Sequence, residues 1–328
     1  MNVYKVNLTP YGSMTSIPDS QTLFGSICWA IRDLYGEKEL ENLLDNFESS
    51  KNRFVISSAF IDGIFKAPMI IWATLEELIE IGKRVGVQGS ALSRRSKSLK
   101  KIEYFTERVF REYLSGKLDR LKVAESIITG EGPYVYKDGV LHYKDEDIKK
   151  YGLYEEHTRR NMINRFTGTT TEGGELYYYN RIFLQKGAKL YFLIKTEEIE
   201  YFKPVFKIMS DMGIGGDKSV GANNFKVEFA GEFNCEKTIK DNVLLSKYIP
   251  NYEEVDWENS LFKIDVGAYR VESRDEFFGE DVFKDEIIYI SEGSTIVFKD
   301  NKDIYGKMPV VKVIGEKKIR NNGLGFFL

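Results

Sequence analysis

Near its N-terminus the chain alternates apolar and polar residues over "NVYKVNLTP", the period of a half-buried strand. The period then changes. In "SIPDSQTLFGSICWAIRDLYG" the residues Leu23, Phe24, Ile27, Trp29, Ala30, Ile31 and Leu34 fall on one broad helical face. Asp19 or Ser20 offers an N-cap, and Gly36 a stop. A second strand is predicted at "NRFVISSAF". Far along, "AKLYFLIKT" predicts a strand, "EEIEYFKPVFKIMSDMG" a helix with Pro204 in its first turns, and "NNFKVEFAGEF" another strand. The order is β-α-β, a long insertion, then β-α-β, which is the split βαβ, ferredoxin-like plan.

The insertion runs from roughly Asp62 to Lys186. It holds the helix-like "YFTERVFREYL" and a predicted hairpin with a Thr/Gly-rich tip, "HTRRNMINRFTGTTTEGGELYYYNRIFL". After about Phe233 come "NSLFKIDVGAYRVE", "DEIIYISEGSTIVF" and "KMPVVKVIGEKK", read as strands of a second, smaller unit that ends in "NNGLGFFL". The expected class is α+β, with tandem ferredoxin-like (RRM-like) units over residues 1–232 and 233–328, the first carrying the insertion and a glycine-rich loop. A length of 328 residues suits two such units.

Charge sharpens this picture. The net charge of −3 argues against indiscriminate binding to polyanions, yet its distribution is uneven. Lys83, Arg84, Arg94, Arg95, Lys97, Lys100 and Lys101 lie in a stretch without a single acid, whereas Glu253, Glu254, Asp256, Glu258, Asp275, Glu276, Asp285 and Glu286 crowd the C-terminal part. One region favours polyanions and another a basic partner. Cys28 and Cys235 are too few for a disulfide framework, and Cys28 sits in an apolar helix as a small core residue. No apolar run reaches membrane-span length, and "MNVYKVNLTP" lacks the core of a signal peptide, so a cytoplasmic location is expected.

The densest glycine cluster is "GIGGDKSVGANNF", Gly213 to Phe225. It is not a P-loop, because Asp217 intervenes between Gly216 and Lys218. A dinucleotide fingerprint needs glycine where Lys218 stands. A GGDD metal site lacks its second carboxylate, again because of Lys218. Two readings stay open. The loop is a cradle of backbone N–H groups for an anion, assisted by Lys218, Ser219, Asn223 and Asn224, or it is a helix C-cap at Gly213 followed by a bend.

"GIGGDKSVGANNF" resembles the glycine-rich loop of the RAMP proteins of CRISPR systems. "IPDSQTLFGSICWAIRDLYG", "KSLKKIEYF", "RRNMINRFTGTT" and the glycine-aromatic C-terminus resemble segments of subunit four of the type III-A effector (Csm) complex, in matching order over most of the chain. The resemblance implies a non-catalytic subunit that binds the 5′ handle of CRISPR RNA. It also implies contact with the large palm-domain subunit and with the adjacent backbone RAMP subunit, with no cofactor and no metal. Carried onto this chain, it makes Gly215, Gly216, Lys218, Ser219, Asn223 and Asn224 handle contacts. Ser16, Asp19 and Gln21 join them at the first helix's N-terminus, where exposed N–H groups attract anions; Asp19 is equally well read as a simple cap.

In the hairpin, Arg159, Arg160, Asn161 and Arg165 face a run of Tyr177, Tyr178 and Tyr179. Cations with aromatic faces hold single-stranded RNA. Alternate tyrosines share a strand face, so Tyr177 and Tyr179 stack on bases while Tyr178 packs inward, or the reverse; ordinary sheet packing remains the other reading. Arg94, Arg95 and Lys97 form a second cationic element, read either as an RNA contact or as a solvated helix face. The competing class is a Cas6-like RAMP endoribonuclease that processes precursor RNA. His157, beside Arg159 and Arg160, is its candidate acid, while His142 reads as structural, and no second base accompanies either. A small-molecule kinase is disfavoured, because its glycine loop feeds a helix rather than a strand.

Overall fold

The computed structural model describes residues 1–161, 166–169, 176–240, 242–272 and 282–328, with the side chains of Lys150, Arg160, Leu176 and Tyr177 outside that description. The chain opens with β1 (Asn2–Pro10), α1 (Ser20–Tyr35), α2 (Glu37–Asp45), β2 (Phe54–Ile56) and β3 (Phe60–Ile61). The insertion contributes β4 (Ile64–Lys66), α3 (Leu75–Arg84), α4 (Gly89–Ser96), β5 (Tyr104–Thr106), α5 (Glu107–Leu114), α6 (Arg120–Thr129), β6 (Tyr134–Lys137) and β7 (Val140–Tyr143). Next come the hairpin strands β8 (Leu153–Asn161) and β9 (Leu176–Leu184), then β10 (Leu190–Thr196), α7 (Ile199–Met212) and β11 (Phe225–Glu232).

The main sheet has the order β11-β1-β10-β2, antiparallel throughout, with β3 also pairing β10. The β-α-β, insertion, β-α-β order read from hydrophobic periodicity is therefore the observed one. β10 explains how the two halves hold together. Its residues are buried on both faces, as expected of a strand covered on each side. Phe192 meets Phe206 of α7 edge-on at 6.1 Å, whereas Tyr191 points the other way, against Phe65 of the insertion at 5.5 Å. Tyr191 also donates its hydroxyl to the Ile64 carbonyl at 3.0 Å, so its polar end is satisfied where it is buried. On the insertion side Phe65 stacks on Phe110 at 4.4 Å, and the inserted strands form a second sheet, β4-β5-β7-β6.

α1 buries Leu23, Phe24, Ile27, Ala30 and Ile31, a narrower face than its sequence suggested. Leu34 is exposed, and Trp29 lies half-buried with the Arg32 guanidinium 4.9 Å from its ring. The helix has two expected punctuation marks. Asp19 caps it by accepting from the Thr22 N–H at 2.9 Å, and Gly36, at φ 97°, ends it. Gly36 is immediately followed by α2, which the periodicity did not separate.

The C-terminal part departs from expectation. It consists of β12 (Asn242–Val243), β13 (Ile264–Gly267), β14 (Ile287–Ile290), β15 (Thr295–Ile296), β16 (Tyr305–Lys307), β17 (Val310–Ile314), β18 (Lys317–Arg320) and β19 (Gly323–Gly325). These pair two by two, as β12 with β15, β13 with β14, β16 with β19 and β17 with β18. The four-stranded sheet and two α-helices of a second ferredoxin-like unit are absent among the described residues. The strands are short, and isolated pairs need a neighbour to cover them. They obtain part of that cover from the first unit. Val243 and Leu245 pack with Leu324 and Phe326 in the main core, while the intervening Leu244 joins Tyr248, Val255, Ile290 and Ile296 in a small second core. The strand alternation of side chains divides them.

This shared core makes a test. Phe326, near the end of the chain, is 1% exposed inside the core of the main unit. Phe326→Ala is expected to lower stability by about 3–5 kcal/mol, the cost of emptying a buried phenylalanine site. Urea unfolding followed by circular dichroism measures it, and a shift under 1 kcal/mol would contradict the shared core.

Candidate functional site

The ladder of β1 and β11 ends with Pro10 opposite Phe225, which brings the chain after β1 beside the loop before β11. The Tyr11 N–H donates to the Asn224 carbonyl at 2.9 Å, and the Asn223 N–H to the Ser13 carbonyl at 2.9 Å. On the other side of that segment, Met14 and Ile182 of β9 exchange two backbone hydrogen bonds of 2.8 Å. Residues 11–15 thus lie between the glycine loop and the hairpin.

α7 stops at Gly213, whose φ of 74° serves the C-cap, so the bland reading of that glycine is correct as far as it goes. The loop then closes on itself. Ile214, buried, donates its N–H to the Asn223 carbonyl at 2.9 Å. The Asn223 side chain is 3% exposed and fully used. Its Oδ1 accepts from the Thr15 N–H at 2.9 Å, and its Nδ2 donates to Thr15 Oγ1 at 2.7 Å and to the Gly216 carbonyl at 2.8 Å. Asn224 donates to the Lys218 carbonyl at 3.2 Å. Both asparagines expected to meet RNA through their side chains instead hold the loop's shape.

In the middle of the loop the carbonyls of Gly216, Asp217 and Lys218 accept hydrogen bonds, while a run of N–H groups is left unused. Among the described residues no hydrogen bond within the chain engages the backbone N–H of Gly215, Gly216, Asp217, Lys218 or Ser219. Gly215 and Asp217 have φ of 88° and 56°, and a 3₁₀ turn follows from Lys218 to Val220. Alternating left- and right-handed residues aim successive N–H groups into one concavity, an arrangement that attracts anions. Gly216 and Ser219 are exposed there. Lys218 adds a charge, but its Nζ donates to both carboxylate oxygens of Glu272, at 3.1 and 3.0 Å.

Beneath the loop lies a residue the sequence reading did not select. Arg181 of β9 is 4% exposed, with Nη1 3.4 Å from Asp217 Oδ2 and the guanidinium 4.8 Å from the Tyr179 ring. That ion pair is long, and among the described residues neither terminal nitrogen of Arg181 has a hydrogen-bond acceptor. The signal was present in "YYYNRIFL", where an arginine interrupts an apolar return strand two residues from a tyrosine.

The hairpin forms as expected, β8 pairing β9 with Arg159 opposite Tyr178. Tyr178 is 59% exposed, with the Arg159 guanidinium 5.8 Å from its ring, while Tyr179 turns to Arg181 on the opposite face. Asn161 is exposed. The side chains of Arg160 and Tyr177, and all of Arg165, lie outside the described residues. His157 is exposed on the same hairpin, its Nδ1 2.7 Å from Asn180 Oδ1. His142 is buried, with Nδ1 2.8 Å from the Tyr143 carbonyl.

The N-terminus of α1 borders the same region, but two of its three candidates face inward. Gln21 is buried, donating to the Asn322 carbonyl and accepting from the Asn322 N–H at 3.1 Å, so its amide clamps the C-terminal segment. Asp19 spends one oxygen on the cap and the other on the Tyr269 hydroxyl at 2.6 Å. Burial, with that carboxylate close by, pushes the Tyr269 phenol far up, so the hydroxyl stays a donor. Ser16 alone is exposed.

These elements line a cleft of about 1220 Å³ between α1, the glycine loop, residues 268–272 and β18. Several of its cations face acids. Lys317 pairs with Glu37 at 2.5 Å and Arg320 with Asp45 at 2.7 Å, besides Lys218 with Glu272. Lys284 is different. Burial lowers its pKa, and its Nζ donates to Asn321 Oδ1 at 2.9 Å.

Arg94, Arg95 and Lys97 belong elsewhere. α4 packs on α3 and α6 within the insertion, and Arg95 donates to the Ile128 carbonyl at 2.6 Å, closing the end of α6. Arg94 and Lys97 are exposed. No hydrogen bond or ion pair among the described residues links α4 to the glycine loop. Nor, among those residues, do three His, Cys, Asp or Glu side chains stand where they could share a metal ion. No helix among them is long and apolar enough to cross a membrane.

Comparison with known proteins adds the family. The RAMP superfamily model matches residues 19–225, from the cap of α1 to the first residue of β11. The chain is 28% identical over 282 residues to the CRISPR system protein Csm4 of Methanocaldococcus jannaschii, covering 76% of this chain and 72% of that one. It is 26% identical over 259 residues to Csm4 of Thermococcus onnurineus, covering 77% and 76%. Among solved structures it resembles a chain of a Csm3–Csm4 subcomplex of the type III-A CRISPR-Cas interference complex, with TM-score 0.61 and 18% identity over 99% of this chain and 98% of that one. A chain of a Csm1–Csm4 cassette in complex with cA4 matches with TM-score 0.58 and 20% identity, over 100% and 97%.

The loop's two central glycines are not equivalent. A Cβ on Gly215 meets Thr22 Cγ2 at 3.1 Å on a backbone of positive φ, whereas one on Gly216 meets nothing within 4 Å. Gly215→Val is expected to cost roughly 1–3 kcal/mol, and Gly216→Val to stay within about 0.5 kcal/mol. Paired urea titrations measure the difference; equal losses would mean the loop does not hold this conformation.

Proposed function

This chain belongs to the RAMP superfamily, and from that we propose that it is a non-catalytic RNA-binding subunit of a type III-A CRISPR effector, the one that holds the 5′ handle of the guide RNA. The observation that carries the reading is the row of backbone N–H groups from Gly215 to Ser219, left open among the described residues by a loop that Asn223 and Asn224 hold through its carbonyls. A phosphodiester oxygen is a small anion that such a row accommodates. Backbone donors read charge and position rather than base identity, which suits a strand passing over the loop. The exposed ring of Tyr178, with Arg159 beside it, offers a stacking face and a cation on the neighbouring hairpin.

The partners follow from the relatives. The similar structures hold Csm4 with Csm1 in one case and with Csm3 in another. By extension we assign this chain a place between the large palm-domain subunit and the first backbone RAMP subunit, residues 1–232 carrying RNA and residues 233–328 contributing to protein contact. A binding role also suits the histidines. His157 is engaged with Asn180, a neutral amide that neither activates a 2′-hydroxyl nor stabilises a departing one, and His142 is enclosed in the insertion.

The test uses the full chain and a synthetic single-stranded RNA bearing a 5′ handle. Binding is expected without cleavage, with or without divalent metal. Log affinity should fall with log salt by about 0.7 per phosphate contact, and Arg159→Ala should flatten the slope by about that amount. Specific cleavage abolished by His157→Ala would overturn the reading in favour of an endoribonuclease. Absence of RNA binding at low salt would overturn it altogether.

A further inference from the structure

Lys218 is the one lysine of the glycine loop, and the structure gives it a resident anion. The Glu272 carboxylate reaches it from residues 268–272, on another wall of the cleft and 54 residues away in sequence. Both oxygens accept from Nζ, at 3.1 and 3.0 Å. A carboxylate held this way presents two equivalent oxygens to one ammonium, as the two non-bridging oxygens of a phosphodiester do. We propose that Glu272 is a built-in competitor for the RNA phosphate, and that Lys218 exchanges the carboxylate for a phosphodiester when a strand enters. The proposal rests on the RNA-binding reading of the glycine loop.

Three observations carry it. First, the pair stands directly beside the open N–H row, since Lys218 and its neighbours supply both. A strand seated on that row brings a phosphate within the lysine's reach, and two anions then contend for it. Second, the pair is exchangeable. The side chains of Lys218 and Glu272 keep 20% and 33% of their exposure, and partly solvated pairs of this kind are weak. Arg181 and Asp217 behave oppositely, because the buried guanidinium cannot leave without losing its only carboxylate among the described residues. One pair fixes the loop and the other guards it. Third, lysine suits exchange better than arginine would. Its ammonium is a point charge on a flexible stem and loses no planar fork geometry when it changes partner.

The consequence is an affinity set below what the site's cations alone would give. Removing the carboxylate, while keeping the side chain's shape, releases Lys218 to the RNA. With the full chain and handle RNA at fixed salt, Glu272→Gln is expected to tighten binding about two- to fivefold. It should also steepen the salt dependence by about 0.7, one additional phosphate neutralised. Asp145→Asn, the same charge change at an exposed pair with Arg108 in the insertion, should leave both unchanged. In a Lys218→Met background the gain from Glu272→Gln should vanish, because there is no longer a lysine to release.

The outcomes separate cleanly. No tightening in Glu272→Gln, with wild-type binding intact, overturns the competitor and leaves the RNA reading standing. Equal tightening with and without Lys218 also overturns it, since general repulsion would then account for the effect. Wild-type chain that binds no handle RNA overturns both.

Discussion

The buried amide of Asn223 is the constraint on which the candidate site depends. Its three hydrogen bonds join the strand-exit segment at Thr15, 208 residues away in sequence, to the Gly216 carbonyl of its own loop. A side chain that satisfied the loop's N–H groups instead would have filled the concavity. By engaging the Gly216 carbonyl, Asn223 fixes the peptide plane that carries the Asp217 N–H, one of the row from Gly215 to Ser219 that stays open among the described residues. A buried polar group that is fully paired rigidifies its surroundings, and here the rigidity is that of the loop that carries the open N–H row. The register of Pro10 with Phe225 makes this possible, because only that ladder end brings the two loops side by side.

Around this centre, charge is arranged in two depths. The buried guanidinium of Arg181 reaches the half-buried Asp217 of the loop, and the Lys218–Glu272 pair lies further out at the cleft. Two of the three cleft cations on β18 reach back to acids on α2, Lys317 to Glu37 and Arg320 to Asp45. The cleft is therefore nearly neutral at rest and lined by partners able to exchange. Such a surface discriminates against loose polyanions more than an uncompensated basic groove would, consistent with a chain whose net charge is −3.

The same logic accounts for the C-terminal part. Its short strand pairs are not a second copy of the first unit's sheet. They are held by insertion into the first unit's core through Val243, Leu245, Leu324 and Phe326, and by the clamp of Gln21 on Asn322. Because residues 268–272 and β18 form walls of the cleft, this attachment also decides the cleft's width.

Hydrophobic periodicity alone determined β1, α1, β10, α7 and β11, their order, and the position of the glycine loop between the last helix and strand. These features are local, since a strand's alternation or a helix's stripe is written in consecutive residues. The resemblance of the glycine loop and its companion segments to RAMP proteins was legible for a similar reason, as strings of adjacent residues. What the chain does with Gln21, Asn223 and Arg181 was not. Nothing in a polar side chain's own neighbourhood says whether it meets solvent or a carbonyl, and the partners of Gln21 and Asn223 stand 301 and 208 residues away. The pairing of short C-terminal strands was equally hidden, because runs of two to five residues carry too little pattern to specify which neighbour they join. Only the tertiary structure decided which donors of the glycine loop are spent and which stay open, since that depends on carbonyls and carboxylates delivered from distant segments of the chain.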